Sequence, residues 1–244
     1  MITKNTIKQI ASLRQQKFRK ELGLFVVEGR KMAEELLHSD FETVGLYATE
    51  AFLKEYPTFT TAEAVSEVQM QQMSGFDTPP GILAVVRIPK QGDIKTQSRY
   101  VLALDGIANP GNMGTLLRTA EWFGIRDVVC SSDCVELWNP KVVQATMGSL
   151  FRVKVWSTDL AEFLRKMQDE GKAVYGALLE GKNLFQLKER PDGIIVVGSE
   201  SHGIRAGVLP CITHPITIPR RENSITESLN AAVAGAIIMA EMTR

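Results

Sequence analysis

Cysteine is scarce in this 244-residue chain, with Cys130, Cys134 and Cys211 its full complement. No pair has CxxC spacing, which argues against both a disulfide framework and a zinc site. Histidine is as sparse: His38, His202 and His214 are scattered, so no metal ligand set is visible. No apolar run reaches the roughly 18–20 residues that span a bilayer. The stretch from Met1 to Lys20 is basic and polar, without the apolar centre of a secretory signal. A cytoplasmic protein with no membrane partner is the expectation. Net charge is missing too, since 28 Lys and Arg balance 28 Asp and Glu. Two nucleotide signatures are absent. The glycines after the candidate strand at 100–105 are Gly106, Gly111 and Gly114, not GxGxxG, and no Gly-Lys-Ser/Thr follows them. That counts against a dinucleotide-dependent oxidoreductase and against a P-loop enzyme.

What is present is a 44% hydrophobic composition, enough to bury one large or two small cores. Charge is unevenly spread. Between Met1 and Lys31 eight basic residues face two acidic ones, a local excess of six. Lys4, Lys8, Arg14, Lys17, Arg19 and Arg30 form a stripe that can track phosphates even in a neutral protein. A solvated helix face explains the same charges equally well.

The chain up to about Arg87 reads as mixed helix and strand, ending in the apolar strand Ile82 to Ile88 after the turn signal Thr78-Pro79-Pro80-Gly81. Pro89 to Arg99 is polar and aperiodic, the signature of a linker. The expected division is a domain over 1–90, a linker over 91–98 and a second domain over 99–244. In the second part strands alternate with helices. Strands are expected at 100–105, 127–131, 153–156, 173–178, 193–198 and 216–219; helices are expected at 113–123, 141–147, 160–170 and 228–242. Such alternation predicts an α/β fold with a parallel sheet covered on both faces. Ligands in these folds sit at the carboxyl ends of strands.

Three loops at those ends are unusual. The first, DGIANPGNMGTLLR, runs from Asp105 to Arg118. Asn112 is placed to cap the helix that carries Met113, Leu116, Leu117, Ala120 and Phe123 on one face. Arg118 points nearly opposite, with Trp122 one turn beyond it, and an exposed Trp suggests an interface. The second is VVGSESHGI, from Val196 to Ile204, where two glycines surround Glu200. Glycines there suggest close backbone approach. The third begins ITIPRRENSITESLN at Ile216 and leads into a helix dense in Ala and Gly. Each loop alone has a bland reading as an ordinary turn or helix start.

Together, and in this order, the three loops resemble the signature motifs of the SpoU (SPOUT-class) RNA 2′-O-ribose methyltransferases. NPxNxGxxxRxA is matched by Asn109, Pro110, Asn112, Gly114, Arg118 and Ala120. GxExxG is matched by Gly198, Glu200 and Gly203. IP…ESLN is matched by Ile218, Pro219, Glu227, Ser228, Leu229 and Asn230. The resemblance covers about Tyr100 to Arg244. Phe25 to Leu37 and Pro80 to Val86 resemble the small ribosomal-protein-like substrate-binding domain of many family members. One departure is plain: the family usually has Met after the IP of the third motif, where this chain has Arg220 and Glu222 on a loop about two residues longer.

The resemblance implies an α/β sheet with a deep trefoil knot, a homodimer, S-adenosylmethionine as cofactor and RNA, ribosomal or transfer, as substrate. It casts Arg118, Asn112, Glu200, Ser228 and Asn230 as catalytic, and Gly198, Ile218, Leu229 and Leu178 as cofactor-binding. Glu200 would orient Arg118 or the loops, while Ser228 and Asn230 would position the ribose. A non-catalytic RNA-binding protein of the same fold is the alternative.

Overall fold

A computed structural model describes residues 2–244. The chain divides into two units. One comprises the N-terminal stretch through Gln91 together with Glu136–Phe151; the other comprises Gly92–Val135 and Arg152–Arg244.

The first unit holds α1 (Lys4–Ser12), α2 (Gln16–Leu22), β1 (Leu24–Glu28), α3 (Arg30–Leu37), β2 (Thr43–Thr49), α4 (Glu50–Glu55), β3 (Glu63–Val65), α5 (Glu67–Met73) and β4 (Ile82–Arg87). Its sheet runs β1-β4-β2-β3, antiparallel except for the β2/β3 pair. The strand β3 and helix α5 are not anticipated from periodicity. A local signal for the helix exists, because Ser66 and Gln69 form a reciprocal capping box.

The second unit holds β5 (Tyr100–Asp105), α6 (Pro110–Trp122), β6 (Asp127–Ser131), β7 (Lys154–Thr158), α8 (Leu160–Asp169), β8 (Ala173–Asn183), β9 (Gly193–Gly198), β10 (His214–Thr217) and α9 (Ala231–Thr243). The helix numbered α7 (Pro140–Ala145) lies in the 136–151 segment and packs with the first unit. All six strands of the second sheet are parallel, in the order β10-β8-β9-β5-β6-β7. Every residue of β5 and β6 is buried, as a strand covered on both faces requires. The α/β expectation with a parallel sheet is met.

Several boundaries differ from the sequence reading. The expected 99–244 domain gives up residues 136–151. The reason is aromatic: the Trp138 ring lies 4.7 Å from that of Phe25, and Phe41 stacks edge-on against both Trp138 and Phe151. That cluster belongs to the first unit's core. The linker's last residues are held rather than free, since the Gln97 and Ser98 N–H groups both donate to Asp127 at 2.7 Å. The last helix starts at Ala231, not Ser228, because the Asn230 side chain accepts from the Ala232 and Val233 N–H groups and ends the helix there. The last strand is His214–Thr217 rather than 216–219, and β8 continues to Asn183 to pair with it.

One expectation for the basic stripe is corrected. Arg19 is 2% exposed, and its guanidinium is spent on Glu136 and on the carbonyls of Leu13 and Arg14. It holds the first unit together and presents no charge to a phosphate. Arg14 stays exposed, but one of its terminal nitrogens is committed to the Gln72 and Ser74 carbonyls. Lys4, Lys8 and Lys17 are exposed as expected. Arg30 is exposed too, paired to Glu34 at 2.8 Å and lying over the Tyr56 ring.

Glu28 is a buried carboxylate that accepts from Ser74 Oγ and from the Gly75 N–H at 2.9 Å. Burial raises its pKa, against those two hydrogen bonds and the charge of Arg14. For a carboxylate with a raised folded-state pKa, the favourable contribution exists below its ordinary pKa and is lost as pH rises through the folded value. Glu28→Gln should therefore gain stability relative to wild type between acid and neutral pH. Paired urea titrations at pH 4 and pH 7.5 check this; a gap that narrows toward neutral pH would contradict it.

Candidate functional site

The three unusual loops belong to the second unit, and the sheet register explains how two of them meet. In the β5/β9 pair, Asp105 is the direct partner of Gly198. The loop after β5 and the loop after β9 therefore start side by side. The strand order also turns here, with β6 and β7 on one side of β5 and β9 on the other. That is the position where open parallel sheets place ligands.

The first loop leads into α6. Asn109, not Asn112, is its cap: the Asn109 Oδ1 accepts from the Gly111 N–H at 2.8 Å and the Asn112 N–H at 3.1 Å. Pro110 takes the first helical position, where its missing N–H costs nothing. Asn112 thus lies in the first turn with its side chain free for other work. Beneath the loop, Cys134 Sγ accepts from the Ile107 N–H and donates to the Leu104 carbonyl, both at 3.3 Å.

In the second loop, Ser199 and Gly203 pair back to back through two backbone hydrogen bonds, 3.1 and 2.9 Å. The loop folds so tightly over its own start that a Cβ on Gly198 would sit 2.1 Å from the Gly203 carbonyl carbon. Gly203 has φ +62°, the left-handed region that favours glycine. Glu200 rides on the tip of this turn.

Asn230 joins the loops. Its Nδ2 donates to Asn112 Oδ1 at 3.0 Å and to Glu200 Oε1, while its Oδ1 caps α9. One side chain thereby ties a residue from each motif. Both amide hydrogens and both lone pairs of Asn230 are used within the protein. Asn230, expected to position the ribose, sets the places of Asn112 and Glu200. Glu200, expected to orient Arg118 or the loops, accepts this bond and so ties its own loop to the third. Arg118 is exposed and has no hydrogen-bond or ion-pair partner among the described residues. Ser228 is exposed as well. Trp122, at the end of α6, is 81% exposed.

A second lock was not visible in the sequence. Asp105 is fully buried, yet it accepts from the Arg205 backbone N–H at 2.8 Å, from its Nε at 2.7 Å and from its Nη2. Arg205 Nη1 also reaches Asp133 at 2.7 Å. Partial burial pushes the Asp133 carboxyl up, but hydrogen bonds from Ser131 and from its own backbone N–H, together with the Arg205 guanidinium, hold it below its usual range. One arginine so fastens the ends of β5, β6 and β9. The partners lie 100 and 72 residues apart, and no local pattern points to them.

Of the residues expected to hold a cofactor, Gly198 stands at the end of β9 and Ile218 one residue past β10, both partly buried. Leu178, partly buried, packs against the core beside β9, and Leu229 is half-exposed. These are apolar side chains and backbone groups without a charged member. Among the described residues no group of three or more His, Cys, Asp or Glu could hold a metal ion, and no helix is long and apolar enough to cross a membrane.

Comparison with known proteins matches this geometry. The SpoU rRNA Methylase family matches residues 99–240, and the MRM3-like substrate binding domain matches residues 4–84. A Bacillus subtilis protein, the 23S rRNA (guanosine(2553)-2′-O)-methyltransferase RlmP, is 28% identical over 236 residues, covering 96% of this chain and 94% of the relative. A solved structure from Porphyromonas gingivalis, assigned to the TrmH family of RNA methyltransferases, is 37% identical. It superposes with a TM-score of 0.88 over 99% of this chain and 98% of its own. The fold is shared at 23% identity by an AdoMet-bound rRNA methyltransferase from Sinorhizobium meliloti, with a TM-score of 0.86 over 99% and 95% of the two chains. With three motif loops meeting at paired strand ends and more than half its length matched, the chain belongs to the SpoU rRNA methylase family.

Proposed function

We propose that this protein transfers a methyl group from S-adenosylmethionine to a ribose 2′-hydroxyl of structured RNA, with ribosomal RNA the first substrate to test and transfer RNA the second. The observation that carries this reading is the convergence of Asn112, Asn230 and Glu200 on the helix that also presents an unpartnered Arg118. The B. subtilis relative, named for ribose methylation of 23S rRNA, supports the choice of substrate. A non-catalytic RNA-binding role would not need Asn112, Asn230 and Glu200 kept together.

The residues present fit the cofactor. Gly198, Ile218, Leu229 and Leu178 offer apolar walls and backbone groups at strand ends, suited to a purine ring and to a sulfonium that loses its charge during transfer. S-adenosylmethionine supplies the electrophilic methyl group. The chain's own residues do the rest. A guanidinium stays protonated in proteins, so Arg118 does not serve as a base. It would clamp a phosphate next to the target ribose and stabilise the charge that grows on the hydroxyl oxygen, while the hydroxyl proton passes to that phosphate or to water. Asn112, whose Oδ1 is occupied by Asn230, turns its two amide hydrogens outward as donors to the ribose. Ser228, exposed two residues before Asn230, would offer a hydroxyl to the ribose.

Exposed Lys4, Lys8, Lys17 and Arg30 would grip the RNA from the first unit, consistent with its match to a substrate-binding domain. Trp122 would be covered by a second copy of the chain, because a Trp this exposed is rare outside interfaces. The test is incubation with labelled S-adenosylmethionine and separated ribosomal and transfer RNA, followed by nuclease digestion. Label on the 2′-oxygen of one RNA is expected, from protein that sediments as a dimer. Tight cofactor binding with no label in any RNA would oppose the reading.

A further inference from the structure

A cavity of about 720 Å³ opens beside the third motif, lined by Phe185, Pro219, Arg220, Arg221, Glu222 and Asn223. None of the four residues placed at the cofactor lines it. Its floor is unusual. Phe185 belongs to a single helical turn, Leu184–Gln186, whose start is fixed by Asn183: the Phe185 N–H donates to the Asn183 side chain at 3.0 Å. Leu184 next to it is fully buried, whereas the Phe185 ring is 52% exposed. The backbone is anchored and the aromatic face is left open.

The other lining residues belong to the loop where this chain departs from its family. It is folded on itself, with Arg220 Nη1 donating to the Thr226 carbonyl and the Ser224 N–H donating to the Arg221 carbonyl, both at 3.0 Å. The Arg221 side chain is exposed and has no partner among the described residues. The cavity therefore combines a fixed aromatic face, one free guanidinium, a second guanidinium with donors to spare, and the acceptor Glu222. Aromatic stacking and guanidinium–phosphate contact are the two means by which proteins hold unpaired nucleotides.

We infer that this cavity is a subsite for one unpaired RNA nucleotide flanking the methylated ribose, its base stacked on Phe185 and its phosphate held by Arg221. The inference rests on the methyltransferase reading for bringing RNA to these strand ends. Glu222 can only accept, so it favours a base that presents an amino group on its pairing edge. Arg220, tethered to Thr226, keeps the wall in place. An unpaired nucleotide is required because a base already stacked in a duplex has no free face for Phe185.

Fluorescence anisotropy on the full chain decides this, with a labelled single-stranded RNA of about twelve nucleotides and a duplex RNA of the same length as probes. Phe185→Leu should weaken single-stranded binding about tenfold without changing its salt dependence. Phe185→Trp should restore it. Arg221→Gln should also weaken it, and lower the slope of log affinity against log salt by about 0.7. Duplex binding should stay unchanged in Phe185→Leu, and S-adenosylmethionine affinity should stay unchanged in all three. Equal single-stranded affinity in wild type and variants would overturn the subsite. So would a matching loss of cofactor affinity, which would make the cavity part of the cofactor pocket. Methyl transfer is read separately: a wild type that labels no RNA ends the methyltransferase reading, while the binding comparison still decides whether a nucleotide sits here.

Discussion

Arg118→Ala is expected to lower the rate of methyl transfer by about 10²–10³-fold while leaving S-adenosylmethionine affinity and folding stability unchanged. The split follows from where the side chain stands. It is exposed and unpartnered, so its removal orphans no buried group, and changes at such positions usually fall within about 0.5 kcal/mol. In the proposed mechanism its work begins only when RNA arrives, in stabilising charge on phosphate and hydroxyl oxygen. Arg118→Lys should recover part of the rate, because it restores the charge but not the two-pronged geometry. Single-turnover transfer, calorimetric titration with the cofactor and a thermal melt make the comparison. Loss of cofactor affinity in step with activity would mean that Arg118 shapes the pocket rather than the transfer.

Arg205→Met should cost the second unit about 3–5 kcal/mol, the usual penalty for leaving a buried charge without its partner. Asp105 would keep the backbone N–H of residue 205 but lose two side-chain donors in a place with no access to water. Loss of the Asp133 contact adds little, since both partners there are about half-exposed. Activity should fall further than stability alone explains, because the loops that carry Asn112 and Glu200 start at the strand ends this arginine fastens. Asp105→Asn in the Arg205→Met background removes the stranded charge and should recover a large part of the stability. A chemical denaturation cycle over the four proteins measures the coupling. Purely additive effects would show that the two residues do not act as a unit.

The two locks mark the limit of what the sequence carries. Strands β5, β6 and β9 and the apolar face of α6 were legible, because periodicity and buried β-branched runs are local signals. The motif residues were legible as a set through resemblance, and the chain folds Asn112, Glu200 and Asn230 into one hydrogen-bonded group. Their division of labour was not legible. Asn109 and Asn112 are both helix-start residues, and only Pro110 after the first hinted which of them caps. Asn230 read as a ribose contact until its four hydrogen-bonding positions were seen to be taken. Arg205 looked like any loop arginine, since its carboxylate lies across the sheet. Arg19 misled for the opposite reason: charge composition counts a basic residue the same way whether or not Glu136 consumes it.

The contribution of residues 136–151 to the first unit has a consequence for biosynthesis. A ribosome releases the chain in order, so the first 91 residues emerge without Glu136, Trp138 or Phe151. Until residues 136–138 have been made, Arg19 lacks the Glu136 carboxylate and the Phe25 ring lacks its Trp138 neighbour. The N-terminal unit must therefore wait, incomplete, while β5, α6 and β6 are threaded out after it. Its last side chains settle only when β5 and β6, a third of the six-stranded sheet, already exist. Maturation of the N-terminal unit is thus timed by the synthesis of the unit that follows it.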